Sequence, residues 1–114
     1  MTVNHIIKNA LDRFGDPVRA VDYKPKDNNT ERYYTFNYTS FGTAFSDDMP
    51  GYEKYLLWVH FFCPTKYDSV QRVKDTIRAL HNAGTTWAKA INASDSEGQH
   101  IVFECEMTME VTDG

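Results

Sequence analysis

The run Tyr52–Cys63, YEKYLLWVHFFC, constrains the fold most, because it has the length of a strand and is largely apolar on both sides. Side chains alternate across a strand. One face would carry Tyr55, Leu57, Val59, Phe61 and Cys63. The other face would carry Leu56, Trp58 and Phe62 beside Lys54 and His60. β-Branched and aromatic residues dominate and Pro64 closes the run, so it predicts a central strand rather than a buried helix.

Helical periodicity appears first at the N-terminus. The apolar residues at helical spacing there are Val3, Ile6, Ile7, Ala10, Leu11 and Phe14. Thr2 is placed to cap this short amphipathic helix, and Gly15 is placed to end it in a left-handed turn.

A second helix is predicted after Pro64, where Asp68 and Gln71 have the spacing of a capping box and Gly84 gives the end. Its apolar face would carry Val70, Val73, Ile77 and Leu80. The residues expected mostly on its solvent side are Arg72, Lys74, Asp75 and Arg78.

Four further segments have strand patterns: VRAVDY after Pro17, RYYTFNY over Arg32–Tyr38, a short segment within residues 85–93, and residues 99–112. In the last, apolar side chains alternate with His100, Val102, Glu104, Glu106, Thr108 and Glu110. The resulting order, α-β-β-β-α-β-β, predicts an α+β fold in one domain over residues 1–114. We expect a mixed, mainly antiparallel sheet with both helices packed on one face.

Two helices on one face leave the second face of the central strand without cover. Leaving Leu56, Trp58 and Phe62 in water would forgo roughly 1.5 to 3 kcal/mol for each side chain. The sequence therefore predicts that these three residues lie in a contact between subunits or with a partner protein.

The segment from Thr39 to Gly51, TSFGTAFSDDMPG, is a second candidate for docking. It carries Phe41, Phe45 and Met49 with few obvious core partners, and long excursions in small domains are often functional. The alternative is a wide hairpin that extends the preceding strand and packs its aromatic rings on its own sheet.

The charge of the chain argues against a protein that binds nucleic acid through phosphate contacts. The net charge is -4 and the pI about 5.5, and the twelve Lys and Arg residues are scattered rather than clustered. No apolar segment has the length of a membrane span, and the N-terminal pattern lacks the apolar core of a signal peptide. We therefore expect a protein made in the cytosol that does not bind a membrane.

Patterns that predict catalysis or a bound cofactor are lacking in the sequence. His5, His60, His81 and His100 have no metal-ligand spacing, and no phosphate-binding glycine motif is present. Ser94, Asp95 and His100 contain the residue types of a nucleophilic triad, but a turn already explains them. Asp47 and Asp48 are expected to be solvated. We predict neither an enzyme nor a cofactor or metal site.

Two other features have structural explanations. Cys63 and Cys105 lie within apolar strand patterns and are expected to be buried and unpaired. Glu104, Glu106 and Glu110 share one strand face, which fits a solvated surface that keeps a sheet edge from aggregating. The functional alternative is that these glutamates line a passage for DNA, where their negative charge would repel the duplex and let it slide.

A family resemblance follows from the succession of segments. The helix ending at Phe14 and Gly15, then PVRAVDY, RYYTFNY, YLLWVHFFCP, DSVQRVKDTIRALHNAG, the Trp87 segment and DSEGQHIVFECEM resemble the small tail-terminator or tail-completion proteins of long-tailed bacteriophages and prophages. The resemblance covers nearly the whole chain and lies in element order, not in a catalytic signature. It implies a structural virion protein that caps the head-proximal end of the tail tube and provides the docking surface for the head connector. Such a protein is made in the bacterial cytoplasm, resides in the virion, and has neither enzymatic activity nor a cofactor.

The partners that the resemblance implies are further copies of the chain in a ring, usually a hexamer, the tail tube protein and the head connector. DNA would pass through such a ring without specific binding. Three alternatives stay open: another head-tail connector or tail-assembly protein, a cytosolic ligand-binding or regulatory module with a ferredoxin-like sheet, and, third, a small enzyme whose site is assembled only in space.

Overall fold

The computed structural model describes residues 2–20, 32–42 and 52–110. Its elements, in chain order, are α1 (Val3–Asp12), β1 (Val18–Ala20), β2 (Tyr33–Gly42), β3 (Tyr52–Cys63), α2 (Val70–Asn82), β4 (Lys89–Asn92) and β5 (Gln99–Glu110). The predicted order α-β-β-β-α-β-β is confirmed. The segment predicted as RYYTFNY continues to Gly42, so part of the proposed excursion belongs to β2.

The strands of the described residues form one five-stranded sheet in the order β1-β2-β3-β5-β4. β1 runs parallel to β2, and the other neighbouring pairs are antiparallel, which confirms a mixed, mainly antiparallel sheet. β3 is the central strand, as its two apolar faces require. Because β5 is antiparallel to both β3 and β4, those two strands run parallel, and α2 connects them in a split β-α-β arrangement.

The register of β3 decides which side chains form the core. Val59 pairs with Phe36 of β2 and with Phe103 of β5, and all three are buried. The other strand residues buried on this face are Val18, Tyr34, Leu57, Phe61, Cys63, Ile101, Cys105 and Met107. Val3, Ile7 and Leu11 of α1 and Leu80 of α2 belong to the same cluster. Both helices therefore cover one face of the sheet, as predicted.

Helix α1 begins and ends as its sequence predicts. The Thr2 Oγ1 accepts a hydrogen bond from the backbone N–H of His5 at 3.2 Å, which caps the first turn. Gly15 has a φ of 78°, a left-handed conformation that glycine adopts without steric cost. The turn it forms directs the chain from α1 into β1.

The start of α2 differs from the predicted capping box. Ser69 is the N-cap residue, so the third helical position is Arg72 and not Gln71. Asp68 instead accepts a hydrogen bond from the N–H of Val70 at 3.2 Å. As the first helical residue, Val70 points away from the core and is 63% exposed, so its assignment to the apolar face was wrong.

Arg72 is also misplaced in the sequence prediction. Its Nη1 donates to Asp16 Oδ2 at 2.8 Å, and its side chain is only 11% exposed. Its guanidinium carbon lies 4.8 Å from the ring centroid of Phe14 and 5.0 Å from that of Phe61. The carboxylate and the aromatic faces offset the cost of removing the charge from water. This ion pair joins the turn after α1 to α2.

The side chain of Gln99 fixes the connection between β3 and α2. Its Nε2 donates to the carbonyl oxygens of Pro64 at 3.0 Å and Tyr67 at 2.6 Å, and its Oε1 accepts from the Ser69 Oγ at 2.7 Å. These backbone groups lie in a turn where no strand or helix could pair them. The first residue of β5 thus holds the approach to α2.

The core also contains one polar pair. The hydroxyls of Tyr34 and Thr76 lie 2.8 Å apart, and both side chains are fully buried. Burial raises the pKa of Tyr34 to about 12, so its hydroxyl keeps its proton at neutral pH. Thr76 thereby fills a core position that apolar periodicity in α2 did not identify.

We expect Phe103→Ala to lower the free energy of unfolding by about 3 to 5 kcal/mol, because its ring lies at the centre of the core and its removal leaves a cavity. Val70→Ala is the control and should change that free energy by less than about 0.5 kcal/mol, as exposed substitutions do. Urea unfolding of the two variants measures both values. Equal effects would contradict the described burial.

Candidate interaction surface

The face of the sheet opposite the helices is the candidate functional site. We call it the open face; it carries Leu56, Trp58, His60 and Phe62 of β3 together with their cross-strand neighbours in β2, β4 and β5. Each of these four side chains is partly exposed, whereas Leu57, Val59 and Phe61 on the helix side are fully buried. Neither described helix covers this surface.

The structure brings together three of the six residues predicted as contacts. Leu56, Trp58 and Phe62 share the open face at alternate positions of β3. Phe41 is a residue of β2 and pairs with Lys54. Phe45 and Met49 lie outside the described residues. A contact role for all six stays a prediction.

A row of three rings crosses one end of the open face. Tyr33, Phe62 and His100 are direct cross-strand partners in β2, β3 and β5. The ring centroids of Tyr33 and Phe62 are 4.8 Å apart, and those of Phe62 and His100 are 4.2 Å apart, with interplanar angles of 14° and 18°. These separations are close to the spacing of neighbouring strands, about 4.8 Å. The rings therefore stand upright on the sheet, stacked against one another with their edges outward.

His60 and His100 form a hydrogen-bonded pair beside this row. The Nδ1 of His60 lies 2.8 Å from the Nε2 of His100, so one nitrogen donates and the other accepts. Burial, aided by the nearby His100, lowers the pKa of His60. Burial also lowers the pKa of His100, with partial compensation from the negative charge of Asp95. Both rings are therefore held largely neutral at physiological pH.

The acidic residues of β5 lie on the open face beside the apolar ones. The Trp58 indole Nε1 donates to Glu104 Oε2 at 3.2 Å. Lys54 Nζ lies 3.1 Å from Glu106 Oε1, with both side chains more than a third exposed. Such an exposed ion pair contributes little to stability but balances charge locally. The open face is thus amphipathic: an aromatic end with the histidine pair, and a second end with paired charges.

Ser94, Asp95 and His100 have the residue types of a nucleophilic triad, but Ser94 and Asp95 form hydrogen bonds within the turn between β4 and β5. The Ser94 Oγ accepts from the backbone N–H of His100 at 3.0 Å, and Asp95 Oδ1 accepts from that of Glu97 at 2.8 Å. The imidazole of His100 contacts His60 instead of Ser94. Within the described ranges, no cluster of three or more His, Cys, Asp or Glu side chains could hold a metal ion.

Cys63 and Cys105 are unpaired and buried. Both point toward the helices, but they lie six positions apart along the register of β3 and β5, or about 20 Å. Burial raises the pKa of Cys63 to about 11 and also raises that of Cys105. Both thiols are therefore packing groups rather than nucleophiles.

Sequence analysis did not identify the contact between His60 and His100 or the exposure of Trp87. The histidines are forty positions apart, so only the β3–β5 register reveals that they are diagonal neighbours. Trp87 precedes β4 and is 61% exposed, with its ring 5.3 Å from that of His81 in an edge-on contact. It is a second exposed aromatic surface, away from the open face.

No protein-family model matches the chain, and comparison with curated proteins finds no match. In the part of the chain that the structure describes, no helix is long and apolar enough to cross a membrane.

At about pH 8, Cys63 should react with a disulfide reagent at least about a hundredfold more slowly in the native chain than in the urea-unfolded chain, and Cys105 should also react more slowly, because few thiolates form when the pKa is raised. Absorbance of the released reagent measures both rates. Rapid reaction of a native thiol would show that Cys63 or Cys105 is accessible.

Proposed function

We propose that this chain is a tail-terminator or tail-completion protein of a long-tailed bacteriophage or prophage. In this role it caps the head-proximal end of the tail tube as a ring, with a hexamer as the expected size, and offers the docking surface for the head connector. DNA passes through the ring without specific binding. The protein is made in the bacterial cytoplasm and resides in the virion.

The observation that carries the proposal is the open face. Leu56, Trp58 and Phe62 are partly exposed on the central strand of the sheet, where neither described helix covers them. Contiguous apolar surface rimmed by polar residues marks protein contacts in soluble proteins. A subunit that must be covered by its neighbours meets this description, and the α-β-β-β-α-β-β order agrees with the resemblance to tail terminators.

A ring requires two different surfaces on each subunit, because a head-to-tail contact joins unlike patches. The open face is one of them. On the helix side, the described residues expose two large apolar side chains near opposite ends of α2: Val70, its first residue, is 63% exposed, and Trp87, which follows the helix, is 61% exposed. We infer that the open face of one subunit meets the α2 side of the next.

One observation favours a second candidate. β3, α2 and β4 form a split β-α-β unit with β5 between the parallel strands, an arrangement shared with ferredoxin-like folds. A regulatory module of this type would bind a small ligand on the open face. Such a module does not need to assemble, so self-association separates the two proposals.

Leu56→Asp with Phe62→Asp should weaken self-association at least tenfold, because each substitution puts an unpaired charge into the proposed contact. Sedimentation velocity over a wide concentration range measures the association, and thermal melting checks that the variant folds. Asn4→Asp with Asn9→Asp adds the same charge to the exposed side of α1 and should leave association unchanged. A wild-type chain that stays monomeric, even with tail tubes present, would contradict the proposed contact.

In the phage, the Leu56→Asp and Phe62→Asp variant should give filled heads and separate tails of abnormal length, because tube polymerisation is not stopped and the docking surface is not formed. Electron microscopy of lysates shows the outcome, with the Asn4→Asp and Asn9→Asp variant as the control. Normally joined particles would rule out the terminator role. If heads were absent from the lysate, the result would instead indicate a role in head assembly.

A further inference from the structure

We propose that the His60–His100 pair makes the open-face contact pH-dependent: two copies of the chain associate while both imidazoles are neutral, and they separate when the pair takes up protons. This inference rests on the proposed self-association through the open face. It assigns to the two histidines a regulatory role that the capping function does not require.

The hydrogen bond between the rings sets the first condition. The Nδ1 of His60 and the Nε2 of His100 face each other at 2.8 Å, and one of them must carry a lone pair for the bond to exist. A first proton leaves one imidazolium donating to a neutral ring. A second proton breaks the bond and places two positive charges side by side. The two rings therefore titrate as a coupled pair.

The surroundings of the pair oppose even the first proton. His100 stacks on Phe62 with ring centroids 4.2 Å apart, and Phe62 stacks on Tyr33. Thr35 and Val102 are the cross-strand partners of His60. These neighbours supply no acceptor charge, and a second copy covering the face would remove the remaining water. A positive charge would then be buried without a counter-ion, which is costly.

The charged groups around the His60–His100 pair offset only part of the cost of placing a positive charge there. Asp95, in the turn before β5, acts on His100 at a distance and favours its charged form. Glu104 already accepts a hydrogen bond from Trp58, and Lys89 is its cross-strand partner on β4. Arg19 of β1 is the cross-strand partner of Thr35. Both described helices lie on the opposite face and contribute no charge here.

The direction of the pH effect follows from these contacts. The pKa of each histidine lies below its ordinary value of about 6.5 in the subunit, and coverage by a second copy would lower it further. The separated state then binds more protons than the associated state. Association is therefore strongest above about pH 6.5 and is lost as the pH falls through the lowered pKa values.

The test compares self-association of the full chain at about pH 7.5 and about pH 5.5, at fixed ionic strength, by sedimentation velocity. The wild-type association constant should fall at least about threefold between these pH values, since association releases protons that the separated chains bind as the pH passes through the lowered pKa values. His60→Gln with His100→Phe removes both titrating rings and keeps an aromatic ring beside Phe62. This variant should associate at both pH values with less than about a twofold difference.

His5→Gln is the matched control, because it removes an exposed histidine of α1 on the other side of the sheet. It should keep the full pH dependence of the wild type. NMR titration of the histidine ring protons gives an independent readout: His60 and His100 should titrate together, below the ordinary histidine pKa of about 6.5. Recording the titration at low and high protein concentration should show a further fall in their pKa values on association.

The outcomes separate this inference from the proposed function. Equal wild-type association at both pH values would overturn the pH dependence and leave the ring proposal standing. Independent titration of His60 and His100 at the ordinary histidine pKa would also overturn it. No association at either pH would contradict the open-face contact, and the histidine proposal would fail with it.

Discussion

The register of β3 against β2 and β5 is the constraint on which the rest of the structure depends. It places Leu57, Val59 and Phe61 under the helices and Leu56, Trp58 and Phe62 on the opposite side. A shift of one residue in a strand exchanges its two faces. In this chain both sets are apolar, so hydrophobicity alone does not choose between them. The neighbouring strands decide which face is buried. Phe36 and Phe103 are apolar and lie beside Val59 on the face under the helices, whereas Glu104 and Glu106 are charged and lie beside Trp58 and Leu56 on the open face.

Polar contacts distant in sequence hold this arrangement in place. Arg72 joins α2 to the turn after α1 through Asp16, and Gln99 joins β5 to the turn before α2. Each contact is between groups largely removed from water, where a polar atom without a partner is costly. They restrict the helices to one position on the sheet. The open face is the surface that remains once both helices are fixed.

The sequence was sufficient for those features that depend on local periodicity. The two helices, the central strand and the mixed sheet all follow from spacing and alternation. Prediction failed where a long-range partner decides the outcome. Arg72 has the pattern of a solvated residue, and only the approach of Asp16 and Phe14 shows why it is buried. For the candidate site, alternation identified Leu56, Trp58 and Phe62, but the pairing of His60 with His100 requires the strand register.

The upright row of Tyr33, Phe62 and His100 has a consequence for the chemistry of whatever covers it. An aromatic ring carries partial negative charge on its faces and partial positive charge around its edge. Because the faces of these rings are stacked on one another, a binding partner meets mainly edges. The complementary surface should therefore offer the face of another aromatic ring or carbonyl and carboxylate oxygens. A guanidinium, which favours ring faces, would find both faces of Phe62 already covered by Tyr33 and His100.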